Sequence, residues 1–354
     1  MRMNACCIFP VVLFSSVAFP QSSAELIEAG HFKRARPLVE ARLKSNANDA
    51  QANFEMGRIR RATGDNDSAF TYAEKAVELD GGKAPYHAFL AEVTADAAQH
   101  ASMLKAMGMV KTMRKELDAA LALDPKNIEA LTIYMMFYLK APAMLGGDKN
   151  KAELMADDAV RANAVRGYLV KSRLASEEKA TDRAEAMLRK AVEADPKHYG
   201  ARVTLANFLA GPAQMKFEEA ERCAREAVKL DPGRATGYAV LANVYAAQKK
   251  WPELDTILKD AEKNVPDNYV PYYRAGRALL ANGDDLPRAE AYFRKYLSQE
   301  PEGNEPQLPF AHWSLGLVLE KLDRKAAAVS EMELCVKAKP DFELAKKDLA
   351  RIKQ

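Results

Sequence analysis

Histidine and cysteine are too few and too scattered for the chain to be read as a metalloprotein or a disulfide-stapled fold. The five histidines, His31, His87, His100, His198 and His312, share no metal-ligand spacing, so no metal or other cofactor is expected and each reads as an ordinary surface or groove residue. Of four cysteines, Cys6 and Cys7 sit at the start of an apolar run, too early for lipid attachment, while Cys223 and Cys335 fall on helices three repeats apart and read as small buried apolar residues. Blocks of one charge are also missing. The 52 basic and 49 acidic residues are interspersed, leaving a net charge of +3, which offers no footprint for a phosphate backbone and excludes nucleic acid as an expected partner. HExxH, CxxC, GxGxxG, GxSxG and P-loop patterns are absent, so no enzyme constellation is assembled and the chain is expected not to be an enzyme.

What is present forms helices. A hydrophobic fraction of 48% beside 29% charged residues is the balance of amphipathic helices, and an all-α chain follows. Residues 1–18 differ from the rest: Arg2, an apolar run from Ala5 to Val17, then Ser16 and Ala18 spaced like a cleavage site. They read as a signal peptide, with Ser22-Ser23-Ala24 offering a second cut after residue 24. The run is short and holds Pro10, which weakens the alternative of an uncleaved N-terminal anchor. A periplasmic or secreted location is expected. No later stretch is apolar enough to span a bilayer, so the mature chain should carry no integral membrane span.

Periodicity is the strongest signal. Pro125, Pro196, Pro232, Pro266, Pro301 and Pro340 close successive helical stretches at intervals of 71, 36, 34, 35 and 39 residues, the first being two units. Between them one pattern recurs. In the last unit Leu315-Gly316 and Leu319 precede Ala328, Met332, Cys335 and Pro340; Leu205, Ala206, Phe217, Ala220, Ala224 and Ala227 repeat it, as do Leu241, Ala242, Tyr245, Trp251, Leu254, Leu258 and Ala261, and then Gly276, Gly283, Ala289 and Phe293. Small residues recur where paired helices cross closely. The pattern resembles the tetratricopeptide repeat family, in which no helix pair buries its apolar face without a neighbour.

The resemblance implies a right-handed α-α superhelical solenoid of about eight to nine helix pairs over residues 22–354. Units fall near 22–49, with a truncated first helix, 50–83, 84–127, 128–166, 167–198, 199–234, 235–268, 269–303 and 308–341. A capping helix over 342–352 shows Phe342, Leu344, Leu349 and Ile352 on one face. Three places break the period. Residues 95–112 lengthen unit three, where Met103, Met107, Met109 and Met113 suggest a sticky surface. Residues 141–151 insert Gly146-Gly147-Asp148-Lys149, which reads as a flexible turn with Asp148 capping the next helix rather than as an anion loop. EGNEPQLP, starting at Glu302, stretches the junction before unit nine.

A solenoid of this family implies a protein-protein interaction scaffold of the cell envelope or secreted space, with one or more proteins or peptides as partners. The alternative is a binding protein for a small ligand, a glycan fragment or lipid, in the concave groove. The family's clamp for peptide C-termini is incomplete: Asn207 and Arg274 match, but Val203, Val240 and Val270 replace polar groups. Family geometry puts Val270, Tyr273, Arg277 and Leu280 of unit eight and Phe310, Trp313, Leu317 and Glu320 of unit nine on the concave face. The expected binding cluster is Tyr273, Arg277, Phe310, Trp313 and Leu317, with Trp313 and Arg277 as anchors. The competing expectation is that the terminal helix folds back over them as a cap.

Overall fold

A computed structural model describes residues 21–303 and 306–354; among these there are nineteen α-helices and no strand. The leader lies outside the described residues. Successive helices pair as α1 (Ser23–Ala29) with α2 (Phe32–Ser45), α3 (Ala50–Ala62) with α4 (Asn66–Leu79), and α5 (Ala84–Ala98) with α6 (Met103–Leu123). Then come α7 (Ile128–Lys140) with α8 (Lys149–Ala162), α9 (Ala164–Glu177) with α10 (Thr181–Ala194), and α11 (Tyr199–Leu209) with α12 (Phe217–Leu230). The last pairs are α13 (Ala235–Ala247) with α14 (Trp251–Asn264), α15 (Val270–Asn282) with α16 (Leu286–Leu297), and α17 (Leu308–Lys321) with α18 (Lys325–Ala338), closed by α19 (Glu343–Lys353). Each helix packs on the next, and first helices also touch the first helix of the following pair, the architecture of an α-α solenoid.

Local chemistry sets the boundaries. Asp49, Asp65, Asn127, Asp148 and Asn163 each accept a backbone N–H of the turn they begin. Asn163 both ends α8 and caps α9, so the fifth pair begins at Ala164 rather than near 167. Many of the turns inside a pair use a left-handed residue: Gly30, Gly64 and Gly283 supply it in three pairs, and Lys179, Lys249 and Asp323 adopt φ of 60°, 58° and 56° in three others.

Alanines make the helix seams. Ala69, Ala73 and Ala76 on α4, Ala152, Ala156 and Ala159 on α8, and Ala220, Ala224 and Ala227 on α12 are fully buried. A Cβ at Gly276 would meet Phe293 at 3.1 Å and one at Gly316 would meet Met332 at 3.0 Å, which is why glycine stands opposite those bulky side chains. One large core cluster runs from Leu188 to Ile352 in the C-terminal half, with a small separate one at Tyr238, Ala261 and Val265, and the N-terminal half divides into smaller clusters. Cys223 and Cys335 are buried free thiols, and burial pushes the Cys335 thiol up to about 11. Ion pairs join second helices of neighbouring units, among them Arg189–Glu219, Lys250–Glu221, Arg288–Asp255 and Lys295–Glu262.

Three local expectations are corrected. Met113 is 3% exposed and belongs to the core, because α6 turns it inward while Met103 remains 73% exposed. Leu344 is exposed too, for the inner face of α19 runs through Ala345, Leu349 and Ile352 at three- and four-residue spacing. His87 is neither a surface nor a groove residue: it is buried, with Nδ1 2.6 Å from Glu116 Oε2 and Nε2 3.0 Å from the carbonyl of Gly81.

Candidate binding surfaces of the concave face

All three departures from the period shape the inner face. The junction before unit nine reaches back to unit one. The Lys33 amide donates to Glu302 Oε1 at 2.9 Å, and its ammonium donates to the carbonyls of Asp267 and Glu300 at 2.5 and 2.8 Å and to Gln299 Oε1 at 3.0 Å. Among the described residues Glu302 Oε2 has no hydrogen-bond partner, and it lies 3.6 Å from the Lys33 ammonium. Burial outweighs that distant cation, whose nearer partners are the two carbonyls and Gln299, so the Glu302 carboxyl is pushed up to about 7. The two ends of the solenoid therefore meet in a clasp.

Behind the clasp lies a central cavity of about 870 Å³, walled by units one to three on one side and six to nine on the other. Asn207, Val240, Val270, Tyr273, Arg274 and Phe310 line it. Arg274 and Asn207 are exposed, and neither has an ion pair or side-chain hydrogen bond among the described residues. Both are residues that match the family's peptide clamp; of the three valines in place of polar groups, Val240 and Val270 line the same cavity and supply apolar surface, whereas Val203 is buried and does not line it.

The five residues singled out from sequence divide between two environments. Tyr273 and Phe310 line the central cavity, Tyr273 being braced edge-on by Phe293 and tilted against Tyr296. Arg277 and Trp313 do come together, the guanidinium 5.6 Å from the indole centre and Nη1 donating to Ser314 Oγ at 3.2 Å. The Trp313 Nε1–H, however, donates to Asp348 of α19 at 2.9 Å, and Phe342 packs edge-on against both Trp313 and Phe310. Leu317 is half-buried against the core. The terminal helix thus covers the outer part of the cluster, because Phe342 and Asp348 give the indole both an apolar and a polar partner.

The other two departures meet at a second cavity of about 660 Å³, between units two and five. The start of α6 forms one wall. A turn of 3-10 helix at Ala143–Leu145 forms another, and beyond it Asp148 caps α8, accepting from the amides of Asn150 and Lys151. Gly146 takes φ of 98° there, and a Cβ on Gly147 would stand 1.8 Å from the Ala141 carbonyl oxygen, which explains the glycine pair without an anion. Arg61 and Asp96 line both cavities, so the two adjoin. The repeat register marked the wall of the central cavity, through Asn207, Val270, Tyr273, Arg274 and Phe310, whereas the lengthened segments were the only signal of the second cavity.

A family profile for the tetratricopeptide repeat matches residues 25–84 and 273–341, and a second profile of the same repeat matches residues 165–198. The chain is a tetratricopeptide repeat protein. Among solved structures it is similar to yeast Tom70, with 13% identity, 94% of this chain and 80% of that one covered, and a TM-score of 0.51. A tetratricopeptide repeat protein of Parabacteroides merdae covers 75% of this chain and 99% of its own at 14% identity and a TM-score of 0.49. A pentatricopeptide repeat-containing protein of Arabidopsis thaliana is 36% identical over 63 residues, 18% of this chain and only 11% of that relative's length. At 13% identity the tetratricopeptide repeat protein shares with yeast Tom70 the fold alone.

Proposed function

We propose that this tetratricopeptide repeat protein is a non-enzymatic scaffold that grips an extended segment of a partner protein in the central cavity. The observation that carries the reading is Arg274 with Asn207: two exposed polar side chains without an ion pair or side-chain hydrogen bond among the described residues, set among Val240, Val270, Tyr273 and Phe310 in the cavity behind the clasp. An Arg left without an anion is suited to a carboxylate of the partner, and the aromatic and aliphatic wall to its apolar side chains. With valines at three clamp positions, a segment relying on several carboxylates is poorly matched. Tyr273 and Phe310 are the contact residues of the expected cluster; Trp313, held by Asp348 and Phe342, with Arg277 against it and Leu317 packed on the core, supports that wall.

The scaffold is proposed to act in the envelope or outside it, on the strength of the leader-like residues 1–18. No described helix is long and apolar enough to cross a membrane. A cut after Ala18 suits the mature fold better than one after Ala24, since Ser22 caps α1 in a capping box with Glu25 and Ser23 donates to Glu55 at 2.6 Å. The test is a photoreactive amino acid at Thr236, an exposed residue of the central cavity, in cells making the full chain. Partner crosslinks that disappear with Arg274→Glu while the helical circular dichroism is retained support the reading. Crosslinks unaffected by that reversal refute it.

A further inference from the structure

The cavity between units two and five has a different character from the central one. Its floor is apolar: Val110 and Met113 of α6, Ile133, Met136 and Phe137 of α7, and Leu145 of the inserted turn. Its volume of about 660 Å³ lies in the range of pockets that enclose a small molecule, roughly 300–1,000 Å³. The charges at its mouth nearly cancel. Arg61 bonds Glu92 and Asp96 at 3.1 and 2.8 Å, Arg166 pairs with Glu129, and Lys140 reaches Glu177 at 3.0 Å. One cation is left: Arg173 is exposed, lines the cavity, and has no ion pair or hydrogen bond among the described residues.

The apolar floor does not stop at the cavity. On α6 the residues Met103, Ala106, Val110 and Met113 follow helical spacing and share one stripe, and Met103 is 73% exposed. From Met103 to Met113 the stripe is about 15 Å long at 1.5 Å per residue. One acyl chain occupies half of a ~30 Å hydrocarbon core, the same length. An apolar track one acyl chain long, ending at a pocket with one unneutralised cation, matches a single-tailed anion.

We propose that this cavity is a second binding site, independent of the partner groove, for a long-chain fatty acid. The carboxylate pairs with Arg173, and the chain lies over Val110, Met113, Ile133 and Phe137 and out along the α6 stripe toward Met103. The lengthened α6 and the inserted turn are then the two walls of a ligand pocket, which a solenoid of uniform units lacks.

The experiment is calorimetric titration of the full mature chain with palmitate below its micellar concentration, with hexadecanol as the uncharged control. Palmitate is expected to bind one to one. Arg173→Glu should weaken it by about tenfold to a hundredfold, the worth of a charge-assisted hydrogen bond, and should leave hexadecanol unchanged. Val110→Asp, on the half-buried wall, should weaken both, and Arg173→Lys should retain palmitate binding. Arg274→Glu serves as the control for the central cavity and should not affect palmitate. The proposal is overturned if the wild-type chain binds no palmitate, if Arg173→Glu and Val110→Asp leave binding unchanged, or if Arg274→Glu is the change that abolishes it. None of these outcomes depends on whether a protein partner is captured.

Discussion

The same substitution should have opposite effects at two glycines. In Gly167→Ala the new Cβ would stand 2.2 Å from the Val160 nitrogen, 2.3 Å from its Cα and 2.4 Å from the Ala159 carbonyl carbon. These are backbone atoms of α8, which Asn163 alone joins to α9, so no side chain can rotate aside. Restoring an ordinary contact requires α8 to retreat by about 1 Å, opening the seam of Ala156, Ala159, Val170 and Leu174. Overpacking of this kind costs roughly 1–3 kcal/mol, with a backbone clash at the upper end. Alanine recovers about 0.5–1 kcal/mol of helix propensity, leaving a net loss of about 2 kcal/mol. Gly108 lies in α6 with nothing within 4 Å of its virtual Cβ, so Gly108→Ala should keep the propensity gain alone. Urea unfolding followed by circular dichroism reads both, and hydrogen exchange should place the Gly167→Ala loss on α8 and α9 with α17 and α18 unchanged. A Gly167→Ala variant as stable as the wild type would refute the close crossing.

Ala227 is fully buried on α12, so Ala227→Leu should cost on the order of 1–3 kcal/mol, and an unchanged melting curve would show that α12 does not face its neighbours through this residue. Lys179→Gly should stabilise by about 0.5–1 kcal/mol by relieving a left-handed turn residue with φ of 60°, and urea midpoints that do not rise would count against strain there. For the clasp, the closed form raises the Glu302 carboxyl to about 7 from an ordinary 4.5, so closing takes up a proton between those values; the clasp is tightest below about pH 4.5 and weakens, by on the order of 3 kcal/mol, as pH rises through 7. Energy transfer between dyes on α2 and α16 should therefore fall with rising pH in the wild type and stay flat in Glu302→Gln; identical profiles would exclude Glu302 as the titrating group. Edman sequencing of the exported chain should begin at Phe19, whereas a start at Glu25 would remove the Ser22 cap seen on α1.

Most of the all-helical solenoid was legible because its information is local and repeated. A proline just beyond a helix and alanines at close crossings impose the same constraint in every unit, and Asp148 capping α8 could be read from four letters. What escaped depends on choices between neighbouring residues or on distant contacts. On α19 the register of the inner face decides between Leu344 and Ala345, and a leucine attracts the eye although its position points outward. His87 gave no sign of burial, since its partner Glu116 lies on the next helix and only packing brings the two within 2.6 Å. The aromatic cluster was located and its covering by the terminal helix stood as the competing expectation; what the sequence did not name was Asp348 as the acceptor of the Trp313 N–H. The central cavity needs contacts between the first and eighth units, which no period encodes.

Those contacts change the physics of the array. In an open solenoid each unit senses only its neighbours, and the concave face is reached from either end. Here the clasp joins Lys33 to Glu302 and to backbone carbonyls around it, and Gly303 approaches Ala62 so closely that a Cβ would lie 3.0 Å from its carbonyl oxygen. The bonds are mostly polar and replaceable by water, and burying the Glu302 carboxyl, one oxygen of which has no hydrogen bond among the described residues, offsets part of their gain. The apolar seams lie within and between adjacent units, not across the clasp, so opening it leaves every local core intact. On the proposed function, a weak polar clasp over a cavity holding Arg274, which has no ion pair among the described residues, would admit a partner segment by separation of the joined units, with every local core left in place.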